Sequence, residues 1–304
     1  MSSKYLVRLV LVTVFCFSGF GQSPNTRPFI EIPFDFIHNQ IVVKVNIAGK
    51  GPFSMLLDTG TDPSAIDLAT AKEIGLKLTS AGQQGSGGGM DKNLAFGTRL
   101  PLVEIGTLAA RNVDAAAIDL SRIGERMETP VHGVLGQSLL KGRIVQIDYP
   151  GRVARFFEST PFPKPGGRSN TPNLTTLTFR YENNVLIDGV LVNGKPVTAN
   201  FDTGSSGAFA LSPAAVTALG LDPEVVDAKV QSSVGYNGKF ENREGKLKNV
   251  SLGGISIDSP AVTFFGKGTG YDKKPWGINI GNGFLKDYVV TIDYRSKTIT
   301  LVKP

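Results

Sequence analysis

The chain is almost without cysteine. Cys16 is the only one among 304 residues and lies close to the start. From residue 17 onward disulfides, thiol nucleophiles and thiolate metal sites are therefore excluded. Histidine is nearly as scarce: His38 and His132 are the only two and stand apart without ligand spacing, which points to surface or structural roles and no metal site. Charge of one sign is also lacking, with 32 Lys and Arg against 26 Asp and Glu. No basic run is long enough to form a nucleic-acid face. Gly85–Gly89 is glycine-rich, but no Gly-Lys-Ser/Thr follows, so it is not a phosphate loop. The single tryptophan, Trp276, reads as core.

Long apolar runs are missing beyond the first residues. Residues 1–21 begin with Lys4 and Arg8, continue through the apolar stretch Leu9–Phe17 and end in Gly19 and Gly21. That pattern reads as a secretory signal peptide, too short for a membrane span. Phe15 before Cys16 is unlike the small residue that precedes a lipid-modified cysteine. The chain is accordingly expected to be exported, to the periplasm or outside the cell, with no stable membrane span after cleavage. Removing Lys4 and Arg8 leaves 30 basic against 26 acidic residues, a net charge of +4, so a solvated, mildly basic surface and no nucleic-acid partner are expected.

What is present is a duplication. The segment Gly133–Tyr149 aligns without a gap on Ile278–Tyr294 at an offset of 145, matching Gly136 with Gly281, Leu140 with Leu285, Lys141 with Lys286 and both Ile-Asp-Tyr triplets. Gly75-Leu76 matches Gly220-Leu221 at the same offset. Within this frame Asp58-Thr59-Gly60 and Asp202-Thr203-Gly204 stand 144 apart, so one residue is inserted just after the second motif. The expected organisation is a leader at 1–21, one lobe over 22–158, a Pro- and Gly-rich linker at 159–172 and a second lobe over 173–304. One carboxylate at the same place in each copy suggests a pair meeting at a pseudo-twofold axis.

Each repeat reads mostly as strand. Ile41–Ile47, Val185–Val192 and Val289–Asp293 are rich in β-branched residues. Asn46–Gly51 and Val192–Lys195 read as equivalent hairpin turns. A short helix follows each Asp-Thr-Gly: Asp67 caps Leu68–Ile74 before Gly75, and Ser212 caps Pro213–Leu219 before Gly220. The fold class is therefore mainly β with a few short helices. One repeat alone would leave an apolar face uncovered, which favours packing the two together.

A strand, Asp-Thr-Gly-Thr/Ser, a short helix, hairpins and an apolar-apolar-Gly element before a last strand resemble the aspartic peptidases, and more closely the exported bacterial retropepsin-like and pepsin-like aspartyl proteases. The resemblance covers nearly all of the chain after the leader. It implies two homologous β-rich lobes with Asp58 and Asp202 facing each other across a cleft, a single-chain monomer, no cofactor, and a peptide or protein substrate. Two carboxyls about 3 Å apart cannot both ionise, a property for which aspartic proteases are themselves the standard example. The implied activity is endopeptidase hydrolysis by a water activated between Asp58 and Asp202. Thr59 and Thr203 would cross-link the two loops, Gly60 and Gly204 would allow a tight turn, and the hydroxyls of Thr61 and Ser205 would donate to the carboxylates. Val134-Leu135-Gly136 fits the apolar-apolar-Gly pattern, whereas Asn279-Ile280-Gly281 departs from it at Asn279. Two flap candidates stand at corresponding places, around Gly87 and around Tyr236.

Two other readings remain at this point. Beside the single-chain protease, one is a peptide-binding module on the same fold without turnover, and the other a protease assembled from the lobes of two different chains.

Overall fold

The computed structural model describes residues 29–79, 81–85, 87–157, 173–222, 225 and 227–304. The expected signal peptide, Cys16 and the linker at 159–172 lie outside these residues.

The first repeat folds into an eight-stranded sheet. Its order runs Asp35–Ile37, Gln40–Ile47, Lys50–Leu57, Gly133–Leu135, Ser64–Asp67, Leu108–Ile118, Leu94–Ile105, Gln83–Gln84. A further pairing of Gln40–Ile47 with Leu94–Ile105 closes it on itself, with Asn46 opposite Glu104. The second repeat builds the corresponding ten-stranded sheet, in which Val185–Val192, Lys195–Phe201 and Ile278–Ile280 repeat the positions of Gln40–Ile47, Lys50–Leu57 and Gly133–Leu135. The expected hairpins form with two-residue turns. Ala48 and Gly49 have φ of 51° and 77°, and Asn193 and Gly194 have φ of 49° and 80°. Two left-handed residues in succession make the turn whose twist suits a β-hairpin.

A third sheet joins the repeats. Its order is Phe29–Pro33, Val153–Phe157, Ile144–Asp148, Val289–Asp293, Thr298–Val302, Leu174–Thr178, antiparallel throughout. At its centre the two Ile-Asp-Tyr strands pair with each other, Gln146 opposite Thr291, and Gln146 Nε2 donates to Thr291 Oγ1 at 3.0 Å. These residues are 145 apart, so a pseudo-twofold axis passes between them. The apolar face that one repeat leaves open is covered here: Val145, Ile147, Val290 and Ile292 belong to one continuous buried core that reaches into both lobes.

The helices follow their caps. Asp67 accepts from the N–H groups of Ala69 and Thr70 at the start of Leu68–Glu73, and Ser212 Oγ accepts from Ala215 N–H at the start of Pro213–Leu219. Each stops at a glycine with positive φ, Gly75 and Gly220. Three helices were not expected. Gln137–Leu140 and Asn282–Leu285 follow Gly136 and Gly281, and Ser121–Met127 follows Leu120, with Asp119 Oδ1 accepting from Ser121 N–H. Asp148 and Asp293 turn to their own local turns, accepting from the N–H groups of Gly151 and of Arg295 and Ser296.

Candidate active site

Asp58 and Asp202 each stand at the end of a buried strand. Lys50–Leu57 runs parallel to Gly133–Leu135, and Lys195–Phe201 runs parallel to Ile278–Ile280. The last bond of each ladder fixes the carboxylate-bearing residue: Asp58 N–H donates to Leu135 O at 3.0 Å, and Asp202 N–H to Ile280 O at 2.9 Å.

The two loops are then tied together. Thr59 N–H donates to Thr203 Oγ1 and Thr203 N–H to Thr59 Oγ1, both at 3.0 Å. Each threonine hydroxyl donates onward into the opposite strand, Thr59 to Phe201 O and Thr203 to Leu57 O, both at 2.9 Å. Gly60 N–H donates to Asp58 Oδ1 at 2.6 Å, and Gly204 N–H to Asp202 Oδ1 at 2.9 Å. Both glycines are required by proximity to the other lobe. A Cβ on Gly60 would lie 2.7 Å from Asp202 Oδ1, and one on Gly204 would lie 2.2 Å from Asp58 Cγ.

The outer donors differ between lobes. Thr61 Oγ1 donates to Asp58 Oδ2 at 2.6 Å. Ser205, at the equivalent place, makes no such bond, so the expectation for its hydroxyl is corrected. Ser205 N–H turns back to Asp202 O at 3.2 Å, and the outer donor to Asp202 is Asn279 Nδ2, 3.1 Å from Oδ2.

A second layer, not anticipated from the sequence, braces the loops across the axis. Gln137 Nε2 donates to Thr59 O at 2.6 Å and to Tyr294 Oη at 3.1 Å. Asn282 Nδ2 donates to Thr203 O at 2.6 Å, and Tyr149 Oη donates to Asn282 Oδ1 at 2.5 Å. Gln137 with Asn282, and Tyr149 with Tyr294, are repeat equivalents. Each tyrosine of an Ile-Asp-Tyr triplet thus supports the loop of the other lobe.

The two flap candidates meet as a single roof. The hairpin Lys229–Gly235 with Gly238–Lys246 places Tyr236 and Asn237 at its tip. Asn237 N–H donates to Gly88 O at 2.9 Å, Asp91 N–H donates to Asn237 O at 2.7 Å, and Asn237 Nδ2 reaches Gly85 O and Gly87 O. A Cβ on Gly87 would lie 2.9 Å from the Tyr236 ring. Arg122 and Asp91 form an ion pair beside this contact. Beneath the roof, Tyr236 Oη lies 3.0 Å from Thr61 Oγ1 and 3.5 Å from Asp58 Oδ2.

The groups under the roof are buried, and their charges are mostly negative. Burial first, then the Asp58 charge beside it and a carboxyl–carboxyl contact, push the Asp202 carboxyl well above the usual aspartate range, while Asn279 and Gly204 N–H pull back. Burial and the same two carboxylates push up the hydroxyls of Tyr236 and Tyr271. Lys274 is half-buried nearby. Burial drives its ammonium down and the Asp202 charge holds it up. Trp276 is buried against Phe265 and Tyr271, as expected of a core residue. His132 Nδ1 accepts from Ser54 N–H, a structural role, and His38 is an exposed turn residue. Among the described residues no group of His, Cys, Asp and Glu could hold a metal ion. Two neighbouring carboxyls, one of them pushed up by burial and by the other's charge, can share a proton and so give and take one at the same place.

The family model described as aspartyl protease matches residues 43–139 and 189–275. No curated protein gives a significant match. Among solved structures, the chain is similar to the crystal structure of a retropepsin-like aspartic protease from Rickettsia conorii, at 17% identity and a TM-score of 0.33, over 42% of this chain and 89% of that one. The two family matches together span more than half of the sequence, one in each lobe, and the chain belongs to the aspartyl protease family.

Proposed function

We propose that the protein is an aspartic endopeptidase acting as a single exported chain on peptides or proteins. The observation that carries the reading is the pairing of Asp58 and Asp202 across the pseudo-twofold axis, each with its own glycine N–H on Oδ1. Asp202, held protonated by burial and by its neighbour's charge, is the acid. Asp58 is then the carboxylate of the pair; like Asp202 it has a donor on each oxygen, here Gly60 N–H and the Thr61 hydroxyl. A water between them loses its proton to Asp58 while its oxygen attacks the scissile carbonyl carbon. Asp202 gives its proton to the carbonyl oxygen, so a neutral tetrahedral diol forms. Collapse of the diol breaks the C–N bond: Asp58 passes its proton to the leaving nitrogen, and a diol hydroxyl gives its proton to Asp202. The substrate enters extended, pairing its backbone with strand edges under the roof, and the Asn237–Gly88 contact opens to admit it.

Activity requires Asp202 protonated, so it is lost as pH rises through that raised pKa and is expected across the mildly acidic range. The test is cleavage of a peptide library from about pH 3 to 8, with and without a statine-type transition-state analogue. The expected result is cleavage blocked by the analogue and lowered at least ~10³-fold by Asp58→Asn and by Asp202→Asn. Binding of peptides without cleavage at any pH would favour the non-catalytic module instead.

A further inference from the structure

The departure at Asn279 is half of a paired change. In the first repeat Leu56 stands opposite Val134 in the parallel ladder behind the Asp-Thr-Gly loop. In the second repeat the corresponding register pair is Asn200 opposite Asn279. Two apolar residues have become two amides, at 2% and 4% exposure. Buried amides are unfavourable unless their hydrogen bonds are made. Here they point in one direction. Asn200 Nδ2 donates to Asn279 Oδ1 at 2.6 Å, and Asn279 Nδ2 donates to Asp202 Oδ2 at 3.1 Å. With its oxygen occupied by Asn200, the Asn279 amide has only its donor end to offer the carboxyl. Asn200 Oδ1 has no partner among the described residues. The relay thus begins on an unpaired acceptor and ends on Asp202.

We propose that Asn279, oriented by Asn200, is the positioning residue of Asp202 and takes over in the second lobe the part played by the Thr61 hydroxyl in the first. Its kinetic consequences rest on the endopeptidase reading; its effect on the carboxyl does not. A buried proton donor beside a carboxylate holds its proton too tightly. An N–H aimed at Oδ2 strengthens as the carboxyl becomes a carboxylate, so it favours the state reached after the proton has been given away. The other titratable groups that face Asp202 are Asp58, Tyr149, Tyr236, Tyr271 and Lys274. None of them donates to Oδ2 among the hydrogen bonds of the described residues, where Asn279 alone does so.

The test uses Asn279→Val, Asn200→Leu and the double variant, which restores the Leu/Val pair of the first repeat and protects packing should a single change disturb the fold. Two readouts are taken: the 13Cγ titration of Asp202, assigned with Asp202→Asn, and the pH dependence of kcat. Asn279→Val is expected to raise the Asp202 midpoint and the alkaline limb of kcat by about one pH unit, because a donor to the charged form has been removed. Below that limb kcat falls about 10-fold with KM unchanged. Asn200→Leu shifts both in the same direction by less, and the double variant matches Asn279→Val rather than the sum. An Asp202 midpoint unmoved in the folded double variant overturns the proposal, as does a loss of kcat equal at every pH. A wild-type protein that cleaves nothing would instead overturn the endopeptidase reading, and the carboxyl titration would still decide the role of Asn279.

Discussion

Gly204→Ala is expected to lower kcat at least ~100-fold, since displacing a reacting group by about 1 Å has effects of that size. A Cβ at Gly204 would sit 2.2 Å from both Cγ and Oδ2 of Asp58, inside any permitted contact. The obstacle is the head of a short side chain that Thr61 and Gly60 hold by hydrogen bonds at 2.6 Å. Relief comes only by turning the Asp58 carboxylate away from Asp202 or by parting the lobes. Gly60→Ala meets Asp202 Oδ1 at 2.7 Å and is expected to act in the same sense, less severely. Steady-state kinetics alongside thermal unfolding checks this. An active Gly204→Ala protein with kcat near wild type would show that the carboxylates are not packed as described.

The second large effect is on stability. The Thr203 hydroxyl is wholly buried, accepts from Thr59 N–H and donates to Leu57 O. Thr203→Val keeps the shape and strands both partners. Leaving a buried donor or acceptor unpaired costs about 1–3 kcal/mol each, so the variant is expected to lose about 3 kcal/mol. For a chain of this size that is a fall in Tm of about 5 °C. Thr203→Ser, which retains the hydroxyl, is expected to stay close to wild type. A Tm for Thr203→Val within 2 °C of wild type would mean that the cross-link contributes little to holding the lobes together.

Much of this architecture can be read from local pattern. The offset of 145 marks the repeat, Asn193-Gly194 marks a hairpin turn, and Asp67 and Ser212 mark helix starts, because each feature acts on residues adjacent in the chain. The Asp-Thr-Gly pair is legible for the same reason. What escapes is set by pairing across long separations. The Ile-Asp-Tyr triplets are visible as repeats, but nothing local says that Tyr149 braces Asn282 and Tyr294 braces Gln137. The segments around Gly87 and Tyr236 read as alternative flaps, whereas the fold joins them through Asn237. Asn279 looks like a flaw in an apolar motif until Asn200 is found opposite it. Ser205 occupies the position of Thr61, its carbonyl accepting from Asn282 N–H as that of Thr61 accepts from Gln137 N–H, but the donor to Asp202 Oδ2 is Asn279. The helix Ser121–Met127 has Leu120 at its N-cap, and its first N–H is taken one residue further out, by Asp119 Oδ1.

The central claim is that the two repeats of one chain build one catalytic pair. The most direct test is peptide hydrolysis by Asp58→Asn, by Asp202→Asn and by an equimolar, co-refolded mixture of the two, with molecular mass measured in the same solution. The account predicts that each variant is inactive, that the mixture stays inactive, and that the protein is monomeric, because Val145 and Val290 already lie on paired strands of a single chain. A mixture that regains activity would place Asp58 and Asp202 of the working site on different chains. Activity retained by either single variant would remove that aspartate from the chemistry altogether.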